Sequence, residues 1–222
     1  MAVRLSVERA RQGLAAVRAR VDGAALRAGR DPAAVEILLA VKYVGADDIA
    51  TLADAGVTLV GENRAQDLLE KVARAPGRLR WHFIGALQSR KVRLIVPHVE
   101  LIHSVASDSV LRELGRHAPS GFEILVEVNV AGEPGKAGIA PDELDAFIAR
   151  APVHVAGLMT MPPATVDPQS SRAHFATLAR LARERGLERL SMGTSQDFEV
   201  AVEEGATIVR IGTIILGGGS VR

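Results

Sequence analysis

VEILLAVK, residues 35–42, is a short apolar run broken only by Glu36 and closed by a lysine. It is too short for a buried helix and suits a strand buried on both faces, the kind that builds parallel sheets. Working outward, comparable runs recur at 57–60, 81–84, 101–105, 122–130, 153–159, 189–191 and 208–211. Segments with helical spacing separate them at 47–55, 62–75, 87–96, 107–117, 141–150, 168–185 and 196–204. Strands alternating with helices make an α/β fold, either an open doubly wound sheet or a closed barrel. Eight such units within 222 residues favour a single (β/α)8 TIM barrel over residues 35–217.

Upstream of this rhythm, residues 6–29 read as an extra helix. Ser6 suits an N-cap, and Val7, Ala10, Leu14, Val17 and Val21 recur at spacings of three and four. Gly29 and Pro32 stop it. The chain ends soon after the eighth strand, so an eighth barrel helix is not expected, and the N-terminal helix (1–30) is expected to cover that gap. Residues 1–222 are expected to form one domain, with no second domain.

Composition narrows the partners. Lys plus Arg number 27 and Asp plus Glu 26, a net charge of +1 that gives no electrostatic case for nucleic acid or an anionic membrane. Aromatic residues are 3% of the chain, too few for a base-stacking platform. With no cysteine there is no disulfide, thiolate nucleophile or zinc–cysteine site. His98, His117, His154 and His174 show no metal-ligand spacing, so no metal is expected. No apolar stretch reaches the roughly 18 residues of a membrane span, and the Arg-studded N-terminus lacks a signal-peptide core. A cytoplasmic location is expected.

Barrel proteins place their chemistry at the C-terminal ends of the strands. The first strand delivers Lys42. Apolar surroundings there would disfavour its ammonium, and a neutral amine attacks aldehydes to give a Schiff base; the alternative is a lysine whose head reaches solvent. Asn63, after the second strand, would hydrogen-bond a ligand or cap the next helix. His82, on the third strand, and His103-Ser104, on the fourth, sit among apolar neighbours as core residues or as site residues. Met159, ending the sixth, packs in the core or against a ligand ring. After the seventh and eighth strands come Ser191-Met192-Gly193-Thr194-Ser195 and Gly212-Thr213. Small residues and hydroxyls at these two loops, beside a helix start, make a phosphate site; the alternative is that Ser195 is only an N-cap. Arg210 would face a ring nitrogen, keeping it unprotonated, or a phosphate, or form an ordinary salt bridge. An aldehyde-reactive lysine with a phosphate cradle fits pyridoxal 5'-phosphate (PLP), and equally a phosphorylated sugar.

Larger motifs go further. LLAVKY (38–43), VGENRAQDLLEK (60–71), WHFIGALQSRKV (81–92), LIHSVAS (101–107), VNVAGEPGKAGI (128–139), GLMTMPP (157–163), HFATL (174–178) and LSMGTSQDFEVAVEEGATIVRIGTIILG (190–217) follow in order. Together they resemble the PLP homeostasis proteins of the YggS/PROSC type. The resemblance implies a single barrel like the N-terminal barrel of alanine racemase, with PLP held as a Schiff base on Lys42. It implies phosphate contacts from Ser191, Ser195, Gly212 and Thr213, and Arg210 near the pyridine nitrogen. It implies a pocket lined by Asn63, His82, Ser104 and Met159, and a PLP-exchanging role for Lys136. Tyr43, Gly45, Ala86, Ala106 and Thr194 depart from the usual family residues, and none of these changes removes the lysine, the phosphate loops or the arginine.

The function so implied is intracellular PLP homeostasis by a monomeric carrier without robust catalysis, with PLP-dependent apoenzymes as partners. The only tyrosine, Tyr43, adjoins the lysine, so two-base racemisation lacks an opposite partner. Three other readings compete: a PLP enzyme acting on amino acids, a phosphosugar Schiff-base enzyme, and an interaction module that only borrows the barrel. Turnover of amino acids marks the first, a colourless protein the second, and indifference to Lys42→Ala the third.

Overall fold

The computed structural model describes residues 5–212 and 214–216. The apolar runs form β1 (Glu36–Ala40), β2 (Leu59–Glu62), β3 (Arg80–Phe83), β4 (Leu101–Val105), β5 (Glu123–Glu127), β6 (His154–Met159), β7 (Arg189–Ser191) and β8 (Ile208–Ile211). Each pairs in parallel with its sequence neighbour, and β8 pairs with β1, so the sheet closes into a barrel. The helices are α1 (Val7–Arg27), α2 (Ile49–Asp54), α3 (Ala65–Arg74), α4 (Val92–Ile95), α5 (Asp108–His117), α6 (Leu144–Ala149), α7 (Arg172–Arg183) and α8 (Phe198–Glu203). This is the (β/α)8 TIM barrel expected from the alternation.

Alternate strand residues face opposite ways, and the core divides accordingly. Leu38, Leu59, Leu101, Leu125, Ala156, Met159 and Ile208 point inward and fill the barrel. Their neighbours Leu39, Val60, Phe83, Ile102 and Ile124 point outward and meet Leu52, Leu68, Ile95, Leu114, Phe147, Phe175 and Phe198 of the helices. Each large side chain buried this way contributes roughly 1.5–3 kcal/mol. Below the inner apolar residues, the first residues of the odd-numbered strands make an ionic layer. Glu36 pairs with Arg80 at 2.8 Å and Arg189 at 3.0 Å, and Arg189 pairs with Glu123 at 3.1 Å. That layer closes the N-terminal end of the barrel.

The N-terminal helix takes the place beside α8 that an eighth barrel helix would occupy. It buries Ala10, Val17, Val21, Ala24 and Ala25. Arg20 pairs with Glu199 at 2.6 Å and Arg27 with Glu203 at 2.9 Å. Arg30 donates to the carbonyls of Val202 and Ala206. On the other flank, Arg18 donates to the Val35 carbonyl and Arg11 to that of Asp54. Gly13 lies against the turn after β8, where a Cβ would stand 2.5 Å from the Ile215 carbonyl oxygen.

Several boundaries differ from expectation. The second strand, expected at 57–60, runs through Glu62, because Gly61 has no side chain to meet Leu38 inside the barrel, 2.4 Å from where its Cβ would be. The following helix therefore starts at Ala65 rather than 62. The helix expected over 87–96 is a 3-10 turn (Ser89–Lys91), then one α-turn (Val92–Ile95), then a second 3-10 turn containing Pro97. The fifth strand stops at Glu127, not 130, where the chain turns into the Asn129–Glu133 loop. Among the described residues, no helix is long and apolar enough to cross a membrane.

Candidate cofactor site

At the C-terminal ends of the strands lies a cavity of about 340 Å³. Its walls include Ala40 at the end of β1 with Lys42 and Tyr43 beyond it, Asn63 beyond β2, Ile84 beyond β3, Thr194, Ser195 and Gln196 beyond β7, and Arg210 of β8 with Gly212 just past it. Met161 and Leu216 complete it. Five of the ten residues singled out in the sequence thus meet at one surface: Lys42, Asn63, Ser195, Arg210 and Gly212. Thr213 lies outside the described residues.

Lys42 sits in a turn, not in the strand. β1 ends at Ala40, and the turn is closed by the Val44 amide donating to the Val41 carbonyl at 2.9 Å. The side chain is exposed, with its ammonium 4.9 Å from the centre of the Tyr43 ring. The apolar surroundings expected from the preceding run are therefore corrected: that run faces the barrel and the helices, and the lysine emerges past it at an open rim.

Asn63 caps nothing with its side chain. Its amide oxygen is buried without a hydrogen-bond partner among the described residues. The helix start is satisfied instead by Glu62, whose carboxylate accepts from the amides of Asn63 at 2.5 Å and Arg64 at 3.2 Å. Gly85 comes so close that a Cβ would lie 2.1 Å from the Asn63 carbonyl oxygen. Buried polar atoms are nearly always paired, so this unengaged acceptor on a cavity-wall residue is a candidate to take a donor.

The loop after β7 is built by Gly193 and Asp197. Gly193 adopts φ 87°, a conformation that side chains resist, and a Cβ there would also strike Ala201. The Asp197 carboxylate accepts from the Thr194 amide at 2.7 Å, the Thr194 hydroxyl at 3.1 Å and the Ser171 hydroxyl at 2.9 Å. The helix expected at 196 starts at Phe198, so Ser195 is not its N-cap. Ser195 instead accepts from the Gly212 amide at 3.2 Å, joining the loops after β7 and β8. The turn 194–197 leads directly into α8, with the Phe198 amide donating back to the Thr194 carbonyl at 2.9 Å.

Arg210 alternates inward from β8 and is buried. It donates to the Ser191 carbonyl at 2.8 Å, the Ser191 hydroxyl at 2.6 Å and the Thr160 carbonyl at 2.9 Å. Among the described residues it forms no ion pair, so the ordinary salt-bridge reading falls away. Burial pushes its pKa down to about 10, with Glu127 and then Asp197 acting in the opposite sense.

A polar column continues below. Ser191 Oγ meets His103 Nδ1 at 2.8 Å, and His103 Nε2 meets His82 Nδ1 at 3.0 Å. Burial, aided by the Arg189 and Arg80 charges, pushes His82 down to about 3. Burial likewise holds His103 far below its ordinary value, with His82, Arg210 and Arg189 adding to the effect. Both rings are neutral at physiological pH. With Ser191 accepting from Arg210 and donating to His103, His103 donates onward to His82, and the N–H at His82 Nε2 is left without a partner among the described residues.

Four of the singled-out residues do not reach the cavity wall. His82 and Ser191 belong to this column. Ser104 is buried and donates to the Gly85 carbonyl. Met159 packs in the inner apolar cluster. They form the floor under the site. Lys136 is not a wall residue either; it pairs with Glu133 on the loop after β5. Among the described residues no cluster of His, Asp or Glu is placed to hold a metal. Sequence reasoning missed Tyr43, Ile84, Met161 and Leu216 as walls, and passed over the buried pair of Glu62 and Lys71. A carboxylate ending an otherwise apolar strand was the available signal for that pair.

A phosphorylated aldehyde fits this donor set: an amine at the rim, a free amide oxygen, a buried cation without a carboxylate, and a hydroxyl with turn amides. Gly212 leaves room, since a Cβ there would meet nothing nearer than the Ala40 carbonyl oxygen at 3.9 Å. Fold and site define a (β/α)8-barrel protein with a lysine just past β1 and a buried arginine on β8 facing one cavity. The chain is 41% identical over 218 residues to the pyridoxal phosphate homeostasis protein of Aquifex aeolicus (strain VF5), covering 92% of this chain and 96% of that protein. This chain belongs to the pyridoxal phosphate homeostasis protein family. Among solved structures it is similar to a protein of unknown function from Bifidobacterium adolescentis (TM-score 0.86, 30% identity, covering 94% and 95% of the two chains). It is also similar to PipY of Synechococcus elongatus PCC7942 with PLP bound (TM-score 0.78, 31% identity, covering 94% and 100%). No protein-family model matches the chain.

Proposed function

We propose that this protein binds PLP in the cavity at the barrel mouth, holds it covalently on Lys42, and serves intracellular PLP homeostasis as a carrier. The observation that carries the reading is the meeting of Lys42, Arg210 and the Ser195–Gly212 loops at one cavity, in a family with a PLP-bound relative. When bound, PLP supplies an aldehyde that condenses with a neutral amine to a Schiff base, releasing one water.

The chain's own residues divide the remaining work. Lys42 presents its amine at the open rim. Ser195, the turn amides, Gly212 and Thr213 take the phosphate. Arg210, fixed by Ser191 and Thr160, brings a cation toward the ring nitrogen, and a positive neighbour disfavours protonation there. An unprotonated ring is the weaker electron sink, which supports carriage over catalysis. Asn63 offers its free oxygen as an acceptor. His82, Ser104, Met159 and Ser191 act from beneath, by fixing the floor and Arg210. The position of Tyr43, the only tyrosine, next to Lys42 supports the same conclusion, because it leaves no tyrosine to act as a second base across the cavity. In this reading one domain spanning residues 1–222 works in the cytoplasm as a monomer and hands PLP to apoenzymes.

The test is the absorption spectrum of the purified protein incubated with PLP, wild type beside Lys42→Ala. A Schiff-base band in the wild type, absent in the variant and trapped on Lys42 by borohydride, is the expected result. No band in the wild type overturns the reading.

A further inference from the structure

Lys71 and Glu62 are buried, charged and outside the cavity. Lys71 extends from α3, and its Nζ pairs with the Glu62 carboxylate. The same ammonium donates to the Val41 carbonyl at 2.8 Å. The second Glu62 oxygen accepts from the Asn63 amide at 2.5 Å. Glu62 alternates with inward-facing Gly61, so the pair lies between the barrel wall and α3.

Its bonds nevertheless end beside two cavity walls. Val41 is the residue before Lys42, and Asn63 is itself a wall. The turn at 41–44 is anchored at its two ends, where Val41 and Val44 are buried in the core, and by backbone bonds of Val41 to Gly61 and Val44 to Val41. Its middle, Lys42 and Tyr43, is exposed, and among the described residues the side-chain bond to this turn is that of Lys71 to the Val41 carbonyl. A buried ion pair is a poor investment for stability alone, because apolar replacement is often neutral or favourable. Leu68 already docks α3 on the core. What the pair adds is a fixed distance between two loops.

We propose that Lys71 and Glu62 are positioning residues: together they strut the turn that carries Lys42 against the turn that carries Asn63, and so set whether a carbonyl held in the cavity lies within reach of the Lys42 amine. This rests on the PLP-binding reading above. The strut acts on covalent capture and not on phosphate recognition, which belongs to the loops after β7 and β8; among the described residues neither Lys71 nor Glu62 makes a hydrogen bond to those loops.

The test separates capture from binding with two ligands. PLP carries the aldehyde; pyridoxine 5'-phosphate carries an alcohol in its place and cannot bond to a lysine. Lys71→Met is compared with the double variant Glu62→Gln/Lys71→Met, which leaves no buried carboxylate unpaired and keeps the test valid if the single variant fails to fold. Calorimetry gives the affinity for pyridoxine 5'-phosphate. Borohydride trapping with mass spectrometry gives the fraction of bound PLP captured on Lys42 and its rate. The expected result is an affinity for the alcohol close to wild type, with a capture rate down by about tenfold or more, the scale on which ångström misplacements act. An unchanged capture rate overturns the proposal. So does an equal loss in both measurements, which would make the pair a general support of the fold. Failure of wild type itself to capture PLP would instead overturn the underlying reading.

Discussion

Ser195 and the His82–His103 pair show how differently single residues depend on their surroundings. Ser195 Oγ is half-buried between two loops, its one observed bond being that from the Gly212 amide, so its proton is free for a ligand oxygen. Losing a hydrogen bond to a charged group costs about 1.5–3 kcal/mol; Ser195→Ala is expected to weaken pyridoxine 5'-phosphate binding by about 10- to 100-fold, measured by calorimetry, with unfolding by urea unchanged. The histidines act on stability. Both are neutral when folded, and His82 is held near 3. From about pH 6.5 downward the unfolded chain takes up protons on them that the folded chain refuses. Stability is therefore present at neutral pH and lost as pH falls toward 3, by up to about 1.4 kcal/mol per pH unit for each ring. Urea midpoints at pH 7.5 and 5 check this, and His82→Gln is expected to flatten the slope. Lys42, Arg210, Ser195 and Gly212 were legible from one rule, that barrel chemistry sits at strand ends. The Ser191–His103–His82 column was not. It joins β7, β4 and β3 across the barrel interior, and such pairings depend on stagger around the closed sheet, which local sequence does not carry.

Elements were legible where apolar spacing is strong and blurred where side chains outside the pattern decide. All eight strands and α1 were readable, whereas the end of β2 depended on Gly61 yielding space to Leu38. The start of α3 depended on Glu62 serving its amides. The approach of α1 to the turn after β8 gives a sharper prediction. By intrinsic propensity Gly13→Ala would gain about 1 kcal/mol for the helix. Yet the new Cβ would stand 2.5 Å from the Ile215 carbonyl, which has to shift together with the neighbouring cavity wall, Leu216. The expected outcome is weaker PLP binding, seen by equilibrium dialysis, despite a better helix former. Unchanged affinity and a raised melting temperature would show that the turn gives way freely.

At the scale of the whole molecule, the ionic layer under the barrel is shared: Glu36 serves two arginines, and Arg189 two carboxylates. Each residue is partly exposed, so isolated pairs would be worth little. Sharing makes Glu36→Gln strip a partner from both Arg80 and Arg189 at once. The expected cost is about 1 kcal/mol, shrinking at high salt because such charges are screened; denaturation in 0.05 and 1 M sodium chloride checks it. The barrel class was readable from the count of alternating units in a short chain. The layer was not, because its members are spread along the sequence from 36 to 189 and look like ordinary strand-edge charges one at a time.

That closed lower end makes the molecule a cup rather than a tube. Whatever enters past Tyr43 and Met161 has to leave by the same doorway, since the opposite way is barred first by leucines and then by locked charges. Under the carrier reading proposed above, traffic is single file, and a recipient is not served from behind while a new cargo loads in front. In that reading loading and unloading exclude each other in time, and the dwell of one occupant sets the ceiling on how fast the next is passed on.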